Sequence, residues 1–174
     1  MSPAHTFTLQ LVLGYVAWLL CYRAYIGPRL KAMDRISAHR AIATLHSFRF
    51  FGLVFAMPGV VGPHLPDSFA AWAAHADLAT GVLAMLALLA WRLRALFWLL
   101  VAAFNLVGMA DLLVDYYHAI HAHLPDMAGE LGAAYVIPVI YVPLLMITHV
   151  AAFHMLVTPP VRRPAALAAT GASR

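Results

Sequence analysis

Long apolar stretches alternate with short polar connections along this chain. Five stretches, 7–26, 41–62, 69–91, 95–120 and 133–157, are mainly apolar over 20 residues or more. A helix rises ~1.5 Å per residue, so about 20 residues match a hydrocarbon core of ~30 Å. The pattern predicts an all-α polytopic membrane protein, a bundle of five transmembrane helices in one domain over 1–157. The connections carry the expected punctuation. Gly27-Pro28 stops the first stretch, Pro58-Gly59 ends or kinks the second, and Asp67 or Ser68 is placed to cap the third. Arg92 and Arg94 leave only a short turn before the fourth, which makes the third and fourth an antiparallel hairpin. Pro138 and Pro143 kink the fifth, tolerable where neighbours satisfy the freed carbonyls. His64-Leu65-Pro66-Asp67 recurs as His123-Leu124-Pro125-Asp126 without further alignment of the flanks, which points to chance or shared capping chemistry over duplication.

Composition agrees with a bilayer environment. Of 174 residues, 64% are hydrophobic and 10% charged, against about 45–50% and about 25% in soluble domains. A net charge of +4 raises nucleic acid as a partner, but the basic residues flank apolar spans and form no patch on a soluble face. Their distribution orients the chain. Arg23, Arg29, Lys31, Arg35, Arg40, Arg92, Arg94, Arg162, Arg163 and Arg174 fall at one side, and the loop acids Asp67, Asp126 and Glu130 at the other. The positive-inside rule then puts the N-terminus outside and the C-terminus in the cytoplasm, with 158–174 a disordered cytoplasmic tail. The opening residues lack a basic region and a cleavage pattern, so the first span reads as retained. The expected location is a bacterial cytoplasmic membrane, with the lipid bilayer as partner and a homo-oligomer as a further option. Cys21 is the sole cysteine, which excludes an internal disulfide.

The informative residues are the polar ones inside the spans. The fourth stretch carries Asn105, Asp111, Asp115 and His118, with the last three spaced to share one helix face. Arg49 lies in the second stretch, Asp77 in the third and His149 in the fifth. Counting residues from the predicted ends brings Arg49, Asp77, Asp111 and His149 to the midplane, with Asn105 slightly displaced. An arginine cannot shed its proton in a protein, so Arg49 requires a carboxylate partner. One ionised and one protonated carboxyl in a shared space would form an acid–base pair. Asp77, Asp111 and His149 are thus candidate catalytic groups, and Arg49 and Asn105 candidate ligand-binding groups.

Two further sets of histidines invite cofactors. His118, His121 and His123, with His64 and His75 nearby in depth, are dense enough to raise zinc or copper, although the spacing matches no metal signature. His46 and His154 sit at similar depth on different spans, the arrangement that ligates a b-type haem. The residues alone identify no cofactor.

Four readings of function follow. The first is a membrane-embedded site that binds a small lipophilic molecule or acts on it by acid–base chemistry; a pocket lined by Arg49, Asp77, Asn105, Asp111 and His149 would distinguish it. The second is a transporter or proton-conducting subunit, using a ladder from Asp115 through Asp111 to His149 and His154. The third is a haem electron carrier. The fourth is a structural subunit whose polar network only locks helices together.

Overall fold

The computed structural model describes residues 1–158 and is helical throughout, with no strand among those residues. Four helices are long and apolar enough to cross a membrane: α1 (Pro3–Ala32), α3 (Asp67–Leu89), α4 (Arg94–His121) and α5 (Ile137–Val157). A shorter helix, α2 (Arg35–His46), precedes α3 and continues as a 3₁₀ segment, Ser47–Ala56. Apart from Thr158, the expected tail lies outside the described residues.

Proline placement explains the irregular turns. The expected stop at Gly27-Pro28 does not occur; the helix passes through it to Ala32. Pro28 has no N–H to give, and a π turn over Tyr22–Ile26 absorbs the misfit, with Gly27 N–H bonding to Tyr22 O. The same device recurs in α5. A π turn over Ile137–Tyr141 precedes Pro143, and Val142 N–H bonds to Ile137 O. Proline at 143 frees the carbonyl of Val139, four residues back. That carbonyl lies against Gly14 of α1, where any Cβ would collide with it. The indole of Trp18, one turn further along α1, donates to Ile140 O at 2.8 Å. The kinked backbone of α5 is therefore what α1 packs on, while the other face of α1 (Leu9, Val12, Leu13, Leu20) stays exposed.

The second predicted span departs most from expectation, because its helix tightens to 3₁₀ winding at Ser47. Close contact with α3 accompanies the change. The buried face of α3 is a ladder of small side chains, Ala70, Ala73, Ala74, Asp77, Thr80, Gly81, Ala84 and Ala87, spaced by three and four. Small residues let backbones approach. A Cβ on Gly52 would strike the Asp77 carboxylate, and one on Gly81 would lie 3.0 Å from Phe50 N.

Residues 35–62 run the length of the bundle beside α5. At one end Arg35 donates to Met155 O and Leu156 O, the last turn of α5, at 2.6 and 3.1 Å. At the other, Gly62 N–H bonds to Glu130 O at 2.6 Å, and the Glu130 carboxylate accepts from His64 N–H at 3.0 Å, just before α5 begins. Arg40 and Arg92 both lie over Trp91, 4.5 and 5.2 Å from its ring centre.

Helix starts only partly follow the sequence signals. Ser2 caps α1 and Asp34 caps α2, accepting from Ser37 N–H at 3.0 Å. Neither Asp67 nor Ser68 caps α3: Pro66 holds the cap position and Asp67 enters the first turn. The two His-Leu-Pro-Asp segments also differ, since the second has His123 at φ 50° and leads into a 3₁₀ segment. Their leucines, Leu65 and Leu124, are buried in the same apolar cluster.

Two apolar clusters result. One gathers Phe7, Phe55, Phe69, Leu124, Leu131 and Ile137; the other gathers Leu30, Ile42, Phe97, Val101, Phe104 and Ala152.

Candidate functional site

Arg49 sits on the 3₁₀ segment with no solvent exposure. Its guanidinium reaches three other elements. Nε–H donates to Asp77 Oδ1 on α3 at 2.5 Å, and Nη2 donates to Asp111 Oδ2 on α4. Nη1 donates to Gly108 O at 3.2 Å and lies 3.3 Å from His149 Nε2 on α5. Four of the five guanidinium N–H groups are thereby used, and two carboxylates flank one cation. A buried guanidinium survives in an apolar interior only with such extensive pairing.

The network continues with a fixed polarity. Since Arg49 can only donate, His149 Nε2 must accept, so the ring proton is on Nδ1. Nδ1–H then donates to Asn105 Oδ1 at 2.9 Å, and Asn105 Nδ2 donates to Val101 O at 2.8 Å. His149 is therefore a neutral imidazole held in one tautomer. Beside it, 4.0 Å between ring centres, lies His46, whose Nε2 is 3.0 Å from Thr148 Oγ1. The Thr148 hydroxyl has carbonyls of Leu144 and Leu145 within 2.9 and 3.0 Å for its single proton, so His46 Nε2–H is the donor.

All five residues expected near the midplane meet here: Arg49, Asp77, Asn105, Asp111 and His149. Sequence reading missed the glycines that make room. A Cβ on Gly108 would lie 2.5 Å from His149 Nε2 and 2.7 Å from Arg49 Nη1. The signal was present, because Asn105, Gly108 and Asp111 are spaced by three on the buried face of α4. Thr148, adjacent to His149, was also missed as the partner of His46.

A cavity lies beside this network, and it is not the five-residue pocket expected. Its volume is about 130 Å³, and its lining is almost wholly apolar, drawn from α1, the 3₁₀ segment and α3 to α5. Of the five residues only Asp77 reaches it; Asp115 and Tyr116 supply the remaining polar surface. Arg49, Asn105 and His149 have no exposure and Asp111 only 2%. Arg49 does not line this cavity, and four of its five N–H groups are engaged inside the network. Asp115 Oδ1 is buried with no hydrogen-bond partner among the described residues. Tyr116 shares its hydroxyl with that of Tyr15 at 2.7 Å. The cavity lies beside the kink of α5, with Pro138 in its wall.

The cofactor candidates do not assemble. His46 is sealed against His149 and Thr148, whereas His154 is exposed on α5, so the pair encloses no common space for a haem. His121 Nδ1 faces Tyr117 O at 2.8 Å within its own helix, and His123 lies past the helix end. Among the described residues no three His, Cys, Asp or Glu side chains are grouped to hold a metal ion, His118, His121 and His123 included. Nor does the ladder from Asp115 to His154 run unbroken: beyond His149 the network turns to Asn105 and ends on Val101 O.

The model of the family described as a Domain of unknown function (DUF8737) matches residues 6–157, and the chain belongs to that family. No curated protein and no solved structure matches it.

Proposed function

We propose that this member of a family of unknown function is a multi-pass protein of the bacterial cytoplasmic membrane that holds a small lipophilic molecule in the cavity beside Asp77. The observation that carries the reading is the cavity itself. An apolar space of about 130 Å³ has a carboxylate in its wall, tethered from behind to a fully buried arginine. Apolar cavities of roughly 150 Å³ stay dry and take a benzene-sized guest. Acid–base chemistry on that guest falls to Asp77 and Asp115, the two carboxyls that face it. Arg49, Asp111, Asn105 and His149 then position Asp77 and do not touch the ligand.

In this reading the chain crosses the bilayer five times, residues 35–62 serving as the second crossing beside the four long apolar helices. Running the length of α5 supports that count. Arg35, Arg40 and Arg92 gather where α5 ends, which supports a cytoplasmic C-terminus by the positive-inside rule.

A second reading, a purely structural lock, is favoured by the sealing of Arg49. One experiment separates the two. Ala73 is buried and faces the cavity, so Ala73→Leu fills the space without touching the network. Native mass spectrometry of gently purified wild type should show a bound small molecule that the variant lacks, with both proteins equally folded. Wild type free of any guest, in membranes as in detergent, retires the ligand reading in favour of the lock.

A further inference from the structure

Two of the three polar residues in the cavity wall are carboxyls with an oxygen that receives no hydrogen bond. Asp77 is 6% exposed, and Arg49 takes only its Oδ1; Oδ2 accepts no hydrogen bond among the described residues. Asp115, one turn beyond Asp111 on α4, has an oxygen buried without any partner. Tyr116, the third polar lining residue, is already engaged with Tyr15. No cation faces the cavity: Arg49 forms both ion pairs found among the described residues, to Asp77 and Asp111, and neither extends to Asp115. Three carboxyls thus stand around one guanidinium. A buried acceptor without a donor is costly, and a buried carboxylate without a cation more so. An anionic head, such as a fatty acid carboxylate, would add a fourth carboxyl beside Asp115 with no cation to receive it.

We propose that the ligand is a lipophilic amine, its hydrocarbon body in the apolar cavity and its ammonium group between Asp115 and Asp77. This deepens the reading above and rests on it. The amine supplies the donors that Asp115 Oδ1 and Asp77 Oδ2 lack, and its charge offsets the excess of carboxyls over Arg49. A space of about 130 Å³ matches a body about one ring in size.

The test uses four probes of one shape: cyclohexylmethylamine, cyclohexylmethanol, cyclohexanecarboxylate and methylcyclohexane. Each is titrated into the full-length protein in detergent by calorimetry at neutral pH, with wild type and Asp115→Asn side by side. The amine should bind about tenfold or more tighter than methylcyclohexane, as a charge-assisted hydrogen bond provides. The carboxylate should bind weakest. Asp115→Asn should bring the amine down to the level of the alcohol while methylcyclohexane binding, which reports an intact cavity, is unchanged. A carboxylate that binds best, or an amine no better than methylcyclohexane, overturns the amine assignment and leaves the lipophilic site standing. Failure of all four probes overturns the site itself. Should Asp115→Asn not fold, the ranking in wild type alone decides.

Discussion

The two apolar clusters of this bundle are finished to different degrees. Around Phe97, Val101 and Phe104 the side chains are completely buried. Around Phe55, Phe69 and Ile137 the packing stops short and leaves the cavity of about 130 Å³. The polar network lies between them, and besides Asp115 Oδ1 it leaves His46 Nδ1 and Asp111 Oδ1 buried without a partner among the described residues. Its donors run from Arg49 through His149 and Asn105 to Val101, in the filled cluster, with every step paired. On the hollow side Asp77 and Asp115 keep oxygens that no donor reaches. A bundle selected only for stability has no reason to close one half and leave the other open, since packing defects cost stability in proportion to their volume.

The largest effect separates scaffold from site. Arg49→Met leaves Asp77 and Asp111 buried without their cation and should cost about 3–5 kcal/mol, read as early melting or loss of expression. The triple variant Arg49→Met, Asp77→Leu, Asp111→Leu removes the whole charge set and should regain most of that stability, because apolar replacements of a buried ion pair are often neutral. It should nonetheless fail to retain a guest. A triple variant as unstable as the single one would mean that the network does more than balance charge.

Next in size is a matched pair of truncations. Phe104→Ala, in the filled cluster, should cost about 3–5 kcal/mol, as aromatic truncations in tight cores do. Phe55→Ala opens onto existing empty space, so its neighbours lose fewer contacts and the cost should be smaller. Thermal melts of both variants decide the point, and equal costs would erase the contrast between the clusters. Smaller again is Gly108→Ala. Its methyl group would press on His149 Nε2 and Arg49 Nη1, and overpacking of this kind costs about 1–3 kcal/mol. Nitrogen NMR of the His149 ring gives a direct check, with the proton on Nδ1 in wild type and a disturbed ring environment in the variant.

Much of this site was legible because expensive residues announce themselves in an apolar sequence. Arg49, Asp77, Asp111 and His149 were brought to one depth by counting residues, and the small-residue face of α3 makes that convergence close. Counting at helical rise fails, however, where the winding changes. The 3₁₀ turn at Ser47 and the π turns at Tyr22 and Ile137 arise from backbone approach and from proline, and local pattern fixes neither. Gly27-Pro28 read as a stop because the preceding π turn that accommodates it leaves no mark in composition. The cavity was less legible still. A void is the difference between surfaces contributed by several elements, so no single stretch encodes it. For that reason Asp115, which residue counting did not bring to the midplane, lines the cavity, while Arg49, the natural choice for ligand contact, is enclosed.

The smallest predicted effect lies outside the spans and tests whether the two halves are independent. Asp34 caps α2, the helix that carries Ile42 and Ala43 into the filled cluster. Hydrogen bonds from Ser37, through its side chain and its backbone N–H, hold the Asp34 carboxyl below the usual carboxylate range. A carboxylate depressed in the folded state contributes stability that is fully present above its unfolded value of about 3.9. That contribution disappears as pH falls through the lower folded value. Amide protection of Ser37 should therefore drop in the acidic range in wild type, and Asp34→Asn, which keeps an acceptor but does not titrate, should remove that pH dependence. At neutral pH the variant should bind methylcyclohexane as wild type does, because the cap feeds the filled cluster and not the hollow one. A change in that binding would show that the cavity is set from the far end of the bundle, and the two halves would have to be treated as one packing unit.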